Sequence, residues 1–513
     1  MPQGGWQGGR GWQINGTSGA IYPNPSFYVE NIREELDAPN EWFFDAKASK
    51  LYLVLNDTSA NSGGPPTETY IASQHKELIG IRGSMSQPIQ DITIRGIGFR
   101  DSAKTFMEPW GVPSGGDWAL YRGGAIFVEG AENITVEKNL FKRVDGNGVF
   151  LSGYTRDVVI DANEFVWIGD CAMAGWGYTT MDGDGTAGEQ PRRTTISNNV
   201  AHELGVFQLQ SSMWFQAKCA ETTITNNIFY NGPRAGINFN DGFGGKNVVE
   251  KNLIFNQCRH SGDHGPMNSW DRQVGACTHT TVCTHLSRCA LTASLSLPSS
   301  PPPSLCLFTQ PFLTDVPHGA DKPTYYTALS DIKQNFIIAN YGGSQGFDND
   351  DGSTRYNITS NFIYGEGLKQ DYGGHDSLYE GNVNIVHHYD NQQCFNTWPF
   401  NPPHQHTFKN NTCVILYTWQ VGSAGACSAG NPKQGICANA LVDGKFAGKQ
   451  CMLDLSANAY YTPFGNATVS CGRSDVLLKD LQKGGVDPGS TSAGLPSNDQ
   501  IIAWGRAVLG MAS

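Results

Sequence analysis

One asparagine recurs through the middle of this chain at the same place in a repeated phrase, and that recurrence limits the fold more than any other feature. ITVEKNLF, VVIDANEF, TTISNNVA, TTITNNIF, NVVEKNLIF, DIKQNFII, YNITSNFIY and LYEGNVNIV each pass from a β-branched run through a mostly polar pair to Asn and then to an apolar residue. The marked positions are Asn139, Asn163, Asn199, Asn227, Asn252, Asn335, Asn361 and Asn382, with successive separations of 24, 36, 28, 25, 83, 26 and 21 residues. A period in the low to middle twenties, built from short strands and turns without helix, corresponds to one coil of a parallel β-helix whose strands stack about 4.8 Å apart. An Asn at the same place in each coil predicts a buried side-chain ladder, because its amide donates along the stack and accepts from the other side. A β-sandwich, the alternative for a chain of short strands, has no need of a repeating Asn.

Two separations depart from the period. The 36 reads as one coil carrying an insertion, AGWGYTTMDGDGTAGEQP. The 83 contains VGACTHTTVCTHLSRCALTASLSLPSSPPPSLCLFTQ, Val274 to Gln310, which resembles nothing around it. Its Ser, Leu, Pro and Phe codons are compatible with a pyrimidine tract, its first Val codon supplies GT and its last Gln codon can supply CAG. The segment therefore reads as a retained intron translated in frame, with a Ser/Pro-rich loop as the alternative. Without these 37 residues the separation becomes 46, close to two coils, and Cys277, Cys283, Cys289 and Cys306 leave the disulfide count.

The composition agrees with a strand-and-turn chain: charged residues are 16% and Gly is 61 of 513. A formal net charge of −12 argues against a nucleic-acid partner, which needs a basic face. No apolar run of about 18 residues exists, so no membrane span is expected. The opening MPQGGWQGGRGWQ has no apolar leader core, and the expectation is that a signal peptide lies upstream of this sequence. Asn15, Asn56, Asn133, Asn357, Asn410 and Asn466 each begin an N-x-S/T sequon, and Cys394, Cys413, Cys427, Cys437, Cys451 and Cys471 cluster late without metal-ligand spacing. Together these predict a secreted, disulfide-bonded glycoprotein, a monomer. The expected organisation is a β-rich cap over residues 1–80, with EWFFDAKASKLYLVLN as hairpin strands, then a parallel β-helix over 81–393. A Cys-rich region over 394–513 follows, ending in a short amphipathic helix and an apolar helix that close the stack.

Acidic residues concentrate in SGDHGPMNSWDRQ (Ser261 to Gln273), DNDDGS from Asp348 and KQDYGGHD from Lys369. If the marker Asn fixes an angular position, equal offsets from it fall in one sector. Asp241 lies 14 after Asn227 and Asp263 lies 11 after Asn252. Asp348 and Asp350 lie 13 and 15 after Asn335, and Asp371, His375 and Asp376 lie 10, 14 and 15 after Asn361. In earlier coils the same window holds Trp176, Tyr178 and Trp214. Aromatic rings stack on sugar C–H faces, and glycosidic cleavage needs a proton donor and an opposing carboxylate, so a polysaccharide cleft is expected. Asp263, Asp350, Asp371 and Asp376 are the candidate carboxylates, His264 and His375 the candidate proton carriers, and Trp176, Tyr178, Trp214, Asp241, Trp270 and Arg272 the candidate substrate contacts. On this counting Asp350 and Asp376 stand about 5 Å apart on adjacent coils, and Asp263 and Asp350 about 10 Å apart on coils two steps removed. DNDDGS could hold Ca²⁺ through oxygen ligands, although the terminal Glu of the full loop pattern is missing. Arg234, Arg259, Arg272 and Lys369 are cations that a lyase acting on uronates would use.

LDAPNEWFFDAKASKLYLVLND, ITIRGIGF, the Asn-marked repeats, NFNDGFGGKN, SGDHGPMNSWDRQ, DNDDGS and LKQDYGGHD together resemble the right-handed parallel β-helix proteins of the pectate-lyase-like superfamily, nearest to its β-helical glycoside hydrolases. The resemblance covers most of residues 30 to 390, and the VDPGS tail fits it. It implies an extracellular glycan-cleaving hydrolase. A polysaccharide lyase or epimerase and a non-catalytic carbohydrate-binding surface protein are the alternatives, since the fold hosts all three.

Overall fold

The computed structural model describes residues 30–55, 69–111, 120–178, 188–240, 245–260, 264–270, 329–339, 341, 345–350, 353–370, 374, 376–387, 393–397, 406–418, 420–424, 453–471, 474–483 and 485–511. The chain divides near residue 75 into two compact units. In the smaller, the alternation of EWFFDAKASKLYLVLN becomes an antiparallel hairpin, Trp42–Asp45 against Lys50–Leu53, with Trp42 opposite Leu53. The Arg33 guanidinium lies 4.3 Å from the Tyr52 ring centroid.

The larger unit is a parallel β-helix. Each coil contributes three short strands, as in Trp214–Ala217, Thr223–Thr225 and Ile228–Tyr230, and the next coil begins with Ile237–Asn240. Equivalent strands pair in parallel, coil on coil, giving a first, second and third stack. The long strand Ile126–Glu137 runs through the first two stacks and joins them. Inside the coils, Ile196, Ile224, Val249, Ile332 and Ile358 line the second stack, and Phe229, Ile254, Ile337 and Ile363 the third, all fully buried. Alternation sends every second side chain inward, so three-residue strands suffice to fill the core.

Between the second and third stacks stands the predicted ladder. The backbone N–H of Asn361 donates to Asn382 Oδ1 at 3.0 Å, and its Nδ2 donates to the same oxygen at 3.0 Å and to Ile332 O at 2.9 Å. The same pattern links Asn139, Asn163, Asn199, Asn227, Asn252 and Asn335. It continues beyond Asn382, where the sequence repeat fades, through Asn411 and Asn458. The strands of residues 395–397, 406–409, 412–415, 453–456 and 459–461 accordingly extend the stack past residue 393. Asn252 and Asn335 are neighbouring rungs, so the 83-residue separation, expected to leave two coils, is one coil with its extra chain between Trp270 and Leu329. Val274 to Gln310 lies outside the described residues.

Of the two C-terminal helices, α1 (Leu478–Lys483) buries Leu478 and Leu481 in the main core and closes the end of the stack. The helix α2 (Asn498–Val508), capped by Ser497 accepting from Gln500 N–H at 3.2 Å, does not close it. Its Ile501, Trp504 and Val508 pack outside, on Phe362, Val383, Ile385, Val414 and Tyr461 of the third stack. The correction follows from those strands presenting an apolar outer face that water would otherwise meet. Among the late cysteines, Cys394 and Cys413 form a disulfide; the other four lie outside the described side chains. No helix among the described residues is long and apolar enough to cross a membrane.

At one corner, Thr105 Oγ1 donates to Asp170 Oδ2 at 2.6 Å, tying the segment before Glu108 to a coil turn. Asp170 is fully buried and its Oδ1 has no partner. Burial, with a smaller contribution from Asp145, pushes its carboxyl up to about 7. Burial, with Asp101 adding to it and Lys104 and Arg143 opposing, pushes Asp145 up to about 6.

Three outcomes follow. Asn361→Ala removes a rung whose partners on both sides are buried, and is expected to cost about 2 kcal/mol in urea unfolding. Because the folded carboxyls of Asp170 and Asp145 hold protons that the unfolded chain releases near pH 4, stability falls as pH rises from about 4 to about 7. Asp170→Asn, which keeps the Thr105 bond, should flatten that slope in thermal melts taken across the interval. A chain lacking residues 274–310 is expected to keep the rung between Asn252 and Asn335, with a melting temperature equal to or above that of the full chain.

Candidate active site

The first stack carries the charged candidate residues. Its successive strands Trp214–Ala217, Ile237–Asn240, Met267–Trp270, Phe347–Asn349, Leu368–Gln370 and Phe395–Thr397 each begin with a residue that enters the core. The second residue of each therefore faces out, and parallel register lines these up as Phe215, Asn238, Asn268, Asp348, Lys369 and Asn396. Toward the N-terminus the same row holds Phe150 and Ala174. An outward row that is apolar for four coils, from Phe127 to Phe215, thus turns polar and then charged.

The charged part is buried. Asp348 is fully buried and accepts from the Lys369 ammonium at 3.0 Å. Arg234, at the corner before Ile237, donates from Nη2 to His264 Nδ1 at 3.1 Å. A guanidinium has no acceptor, so Nδ1 carries no proton and the imidazole is neutral. Burial first, then the charges of Arg234 and Lys369, push His264 well below the usual histidine range. The Cys258 thiol donates to His264 O at 3.0 Å, and burial, with Glu366 and Asp348 adding, pushes it up. Glu366, fully buried, thereby belongs to the same cluster. Removing so many charges from water costs several kcal/mol per ion before pairing returns any of it, so the cluster is poor value as structure.

Behind the row, inside the coil, lies a polar network. Ser269 Oγ donates to Asn349 Oδ1 at 2.8 Å, Asn349 Nδ2 donates to Tyr379 OH at 2.9 Å, and Gln370 Nε2 donates to Ser353 O at 2.9 Å. These bonds fix the strand that presents Asp348. Asp350, the residue after that strand, is half-buried. Its N–H donates to Ser269 O at 2.7 Å and its carbonyl accepts from Ser353 N–H at 3.0 Å.

The other sequence candidates divide. Asp241, Asp263, Asp271, Arg272, Asp371 and His375 lie outside the described residues. Trp270 is nearly buried and faces outward, opposite Asn240. Trp214 is corrected: it opens its strand in register with Ile237, so it points into the core, fully buried, with Nε1 donating to Gln216 Oε1 at 2.9 Å. Trp176 and Tyr178 flank the Arg122 guanidinium, 3.9 and 4.4 Å from it, and the Tyr178 hydroxyl donates to Glu129 Oε2 at 2.6 Å. They stand four strand spacings, about 19 Å, from Asp348 along the stack. Asp376 is not one step from Asp350. Register pairs Asn357 with Leu378, which sets Asp376 beside Arg355, at the entry to the second stack. Asp350 instead follows a strand that pairs directly with Met267–Trp270, one coil away rather than two.

Equal offset from the ladder was the wrong ruler, because the corners leading into the first stack differ in length. Asn238, Asn268, Asp348 and Lys369 share one row at offsets of 11, 16, 13 and 8 residues from Asn227, Asn252, Asn335 and Asn361. Asn238, Asn268 and Glu366 escaped attention for that reason. Aligning the strand phrases INFN, MNSW, FDND and LKQD on their first apolar residue would have found the row. As for Ca²⁺, the DNDDGS stretch presents Asp348 to an ammonium that a cation would have to displace. Among the described residues no three His, Cys, Asp or Glu side chains are grouped to hold a metal.

No family model and no curated protein matches the chain. Among solved structures, one described as "Glycoside hydrolase" is 16% identical, with 71% of this chain and 60% of that chain aligned and a TM-score of 0.47. The chain thus spans about 60% of that protein's length. Another, described as "The complex structure of XylC with xylose", is 9% identical over 87% of this chain and 67% of that one, with a TM-score of 0.39.

Proposed function

We propose that the chain is an extracellular glycan-cleaving enzyme, a glycoside hydrolase whose carboxylate pair is Asp348 and Asp350. The observation that carries the reading is their placement: two acids two residues apart, Asp348 on the strand Phe347–Asn349 and fully buried against Lys369, Asp350 just after that strand and half-buried. Residues so spaced have Cα atoms about 7 Å apart. We assign them the inverting roles, in which the carboxyl groups stand roughly 6.5 to 9.5 Å apart and leave room for a water. One acid protonates the glycosidic oxygen while the other takes the proton of the water that attacks the anomeric carbon. Unlike surroundings for the two carboxyls separate those roles.

Kinship with the β-helical glycoside hydrolases of the pectate-lyase-like superfamily goes with this reading, supported by three-strand coils and the Asn ladder. Secretion is supported by the Cys394–Cys413 disulfide and by the exposure of the sequon residues Asn133, Asn410 and Asn466.

The deciding experiment measures new reducing ends and the ultraviolet absorbance of unsaturated uronates on neutral and uronate polysaccharides. Asp350→Asn is expected to lower reducing-end release at least about 100-fold without changing the melting temperature. Asp348→Asn should do the same, with folding checked separately because it strands Lys369. Full activity in Asp350→Asn would sink this pair. Unsaturated ends would make the protein a lyase, and binding without cleavage a carbohydrate-binding protein.

A further inference from the structure

We infer that Tyr379 is a positioning residue, whose hydroxyl reaches across the inside of the coil and fixes the spacing between the strands that carry Asp348 and Lys369. The inference rests on the hydrolase reading for what that pair does, and names a residue that acts on it from behind.

The inward column of the second stack is apolar on both sides of Tyr379. Register leads through Val249, Ile332 and Ile358 to Tyr379 and on to Phe408 and Leu455. All six are buried, and only Tyr379 carries a polar side-chain atom. That hydroxyl accepts from Asn349 Nδ2 at 2.9 Å, and its own proton lies between Gln370 Oε1 at 3.1 Å and the Lys369 carbonyl at 3.2 Å. Asn349 and Gln370 directly follow Asp348 and Lys369 on their strands, and they turn inward where those two turn outward. One oxygen therefore joins the backs of the two strands whose fronts form the ion pair.

Stability alone does not call for this arrangement. Replacing both partners of a buried hydrogen bond by apolar groups of the same shape is nearly neutral. Two coils from Asn349, the equivalent inward place holds Phe239. What a fully satisfied network adds is a single geometry. Here that geometry is the 3.0 Å contact between Asp348 and Lys369. Burial pushes the Tyr379 hydroxyl up, with the Asn349 bond opposing and the nearby Asp348 charge adding, so it keeps a proton to donate. Reacting groups misplaced by about 1 Å can lose roughly 100-fold in rate, which gives such a brace its value.

Tyr379→Phe removes the hydroxyl and keeps the ring, and Asn349→Leu, which removes the other end of the 2.9 Å bond, is the second variant should the first not fold. Reducing-end release by Tyr379→Phe is expected to fall at least about tenfold in kcat with KM within about twofold. Ile358→Val, one step along the same column with no polar atom to lose, is the structural control and should leave kcat unchanged. Combined with Asp348→Asn, Tyr379→Phe should cost no further activity, because a residue that works through Asp348 has nothing left to position. A crystal structure of Tyr379→Phe is expected to show the contact between Asp348 and Lys369 opened past about 3.5 Å, a readout that holds whether or not the chain cleaves a glycan. An unchanged kcat, an equal loss in Ile358→Val, an additive double variant, or an ion pair still at 3.0 Å overturns the inference. The hydrolase reading fails separately, by unchanged cleavage in Asp350→Asn, and there the crystal contact alone decides for Tyr379.

Discussion

The architecture depends on one hydrogen bond repeated: an asparagine's backbone N–H and side-chain amide both donating to the carbonyl oxygen of the asparagine one coil on. The bond pays for an awkward backbone. The residue just before each ladder asparagine has a left-handed conformation, as at Lys138, Ala162, Asn198, Asn226, Lys251, Gln334 and Ser360, with φ between 53° and 58°. For non-glycine residues that corner costs roughly 1 kcal/mol or more. It is tolerated because the asparagine it orients satisfies three buried polar atoms at once. The ladder also has a direction. Each rung's backbone N–H points toward the C-terminal end, while its Nδ2 also reaches back to a carbonyl of the preceding coil, so the C-terminal end must supply acceptors. Asn458 N–H finds Ser490 Oγ at 2.7 Å, and its Nδ2 finds Asp487 Oδ1 at 3.3 Å. Tyr460 steadies the same carboxyl with a 2.9 Å bond to Oδ2. The VDPGS tail is thus the terminus of the ladder. At the other end Ile97 N–H donates to Asn139 Oδ1 at 2.9 Å.

A ladder this rigid frees the rest of the coil. Since register is set between the second and third stacks, the corners into the first stack can lengthen or shorten without disturbing the pairing. The inserted chain connects the first-stack strand Met267–Trp270 to the second-stack strand Ser330–Lys333, and the rung between Asn252 and Asn335 is intact. The same freedom lets the outward row of the first stack change character from coil to coil while its inward neighbours stay apolar. Fold and site are therefore written in different residues of the same short strands.

This separation explains what was legible in the sequence. The eight marked asparagines are all rungs, since a buried amide needing an identical partner above and below leaves a strict periodic trace. The outer row leaves no such trace, because neither its composition nor its distance from the ladder is fixed. Counting from Asn brought Asp350 and Asp376 together when register separates them, and it took Trp214 for a groove residue when strand parity sends it inward. Asn411 and Asn458 stand 29 and 47 residues from their preceding rungs, and that dilution hid the continuation past Asn382.

Two buried acids show two ways in which the chain accommodates charge. Asp170 faces only a threonine hydroxyl and a second carboxyl, and burial holds its proton up to about pH 7. A proton is the inexpensive way to bury a carboxyl whose task is to tie one corner. Asp348, equally buried, is given a lysine at 3.0 Å, near an arginine that holds a neutral imidazole. That solution demands two further buried charges and a network of supporting bonds behind them. Nothing in the ladder or the core requires it, and Phe215 fills the equivalent place without it. On the proposed hydrolase reading, the extra charges are pre-organised partners for a reaction in which a carboxyl must hold its geometry as a proton moves.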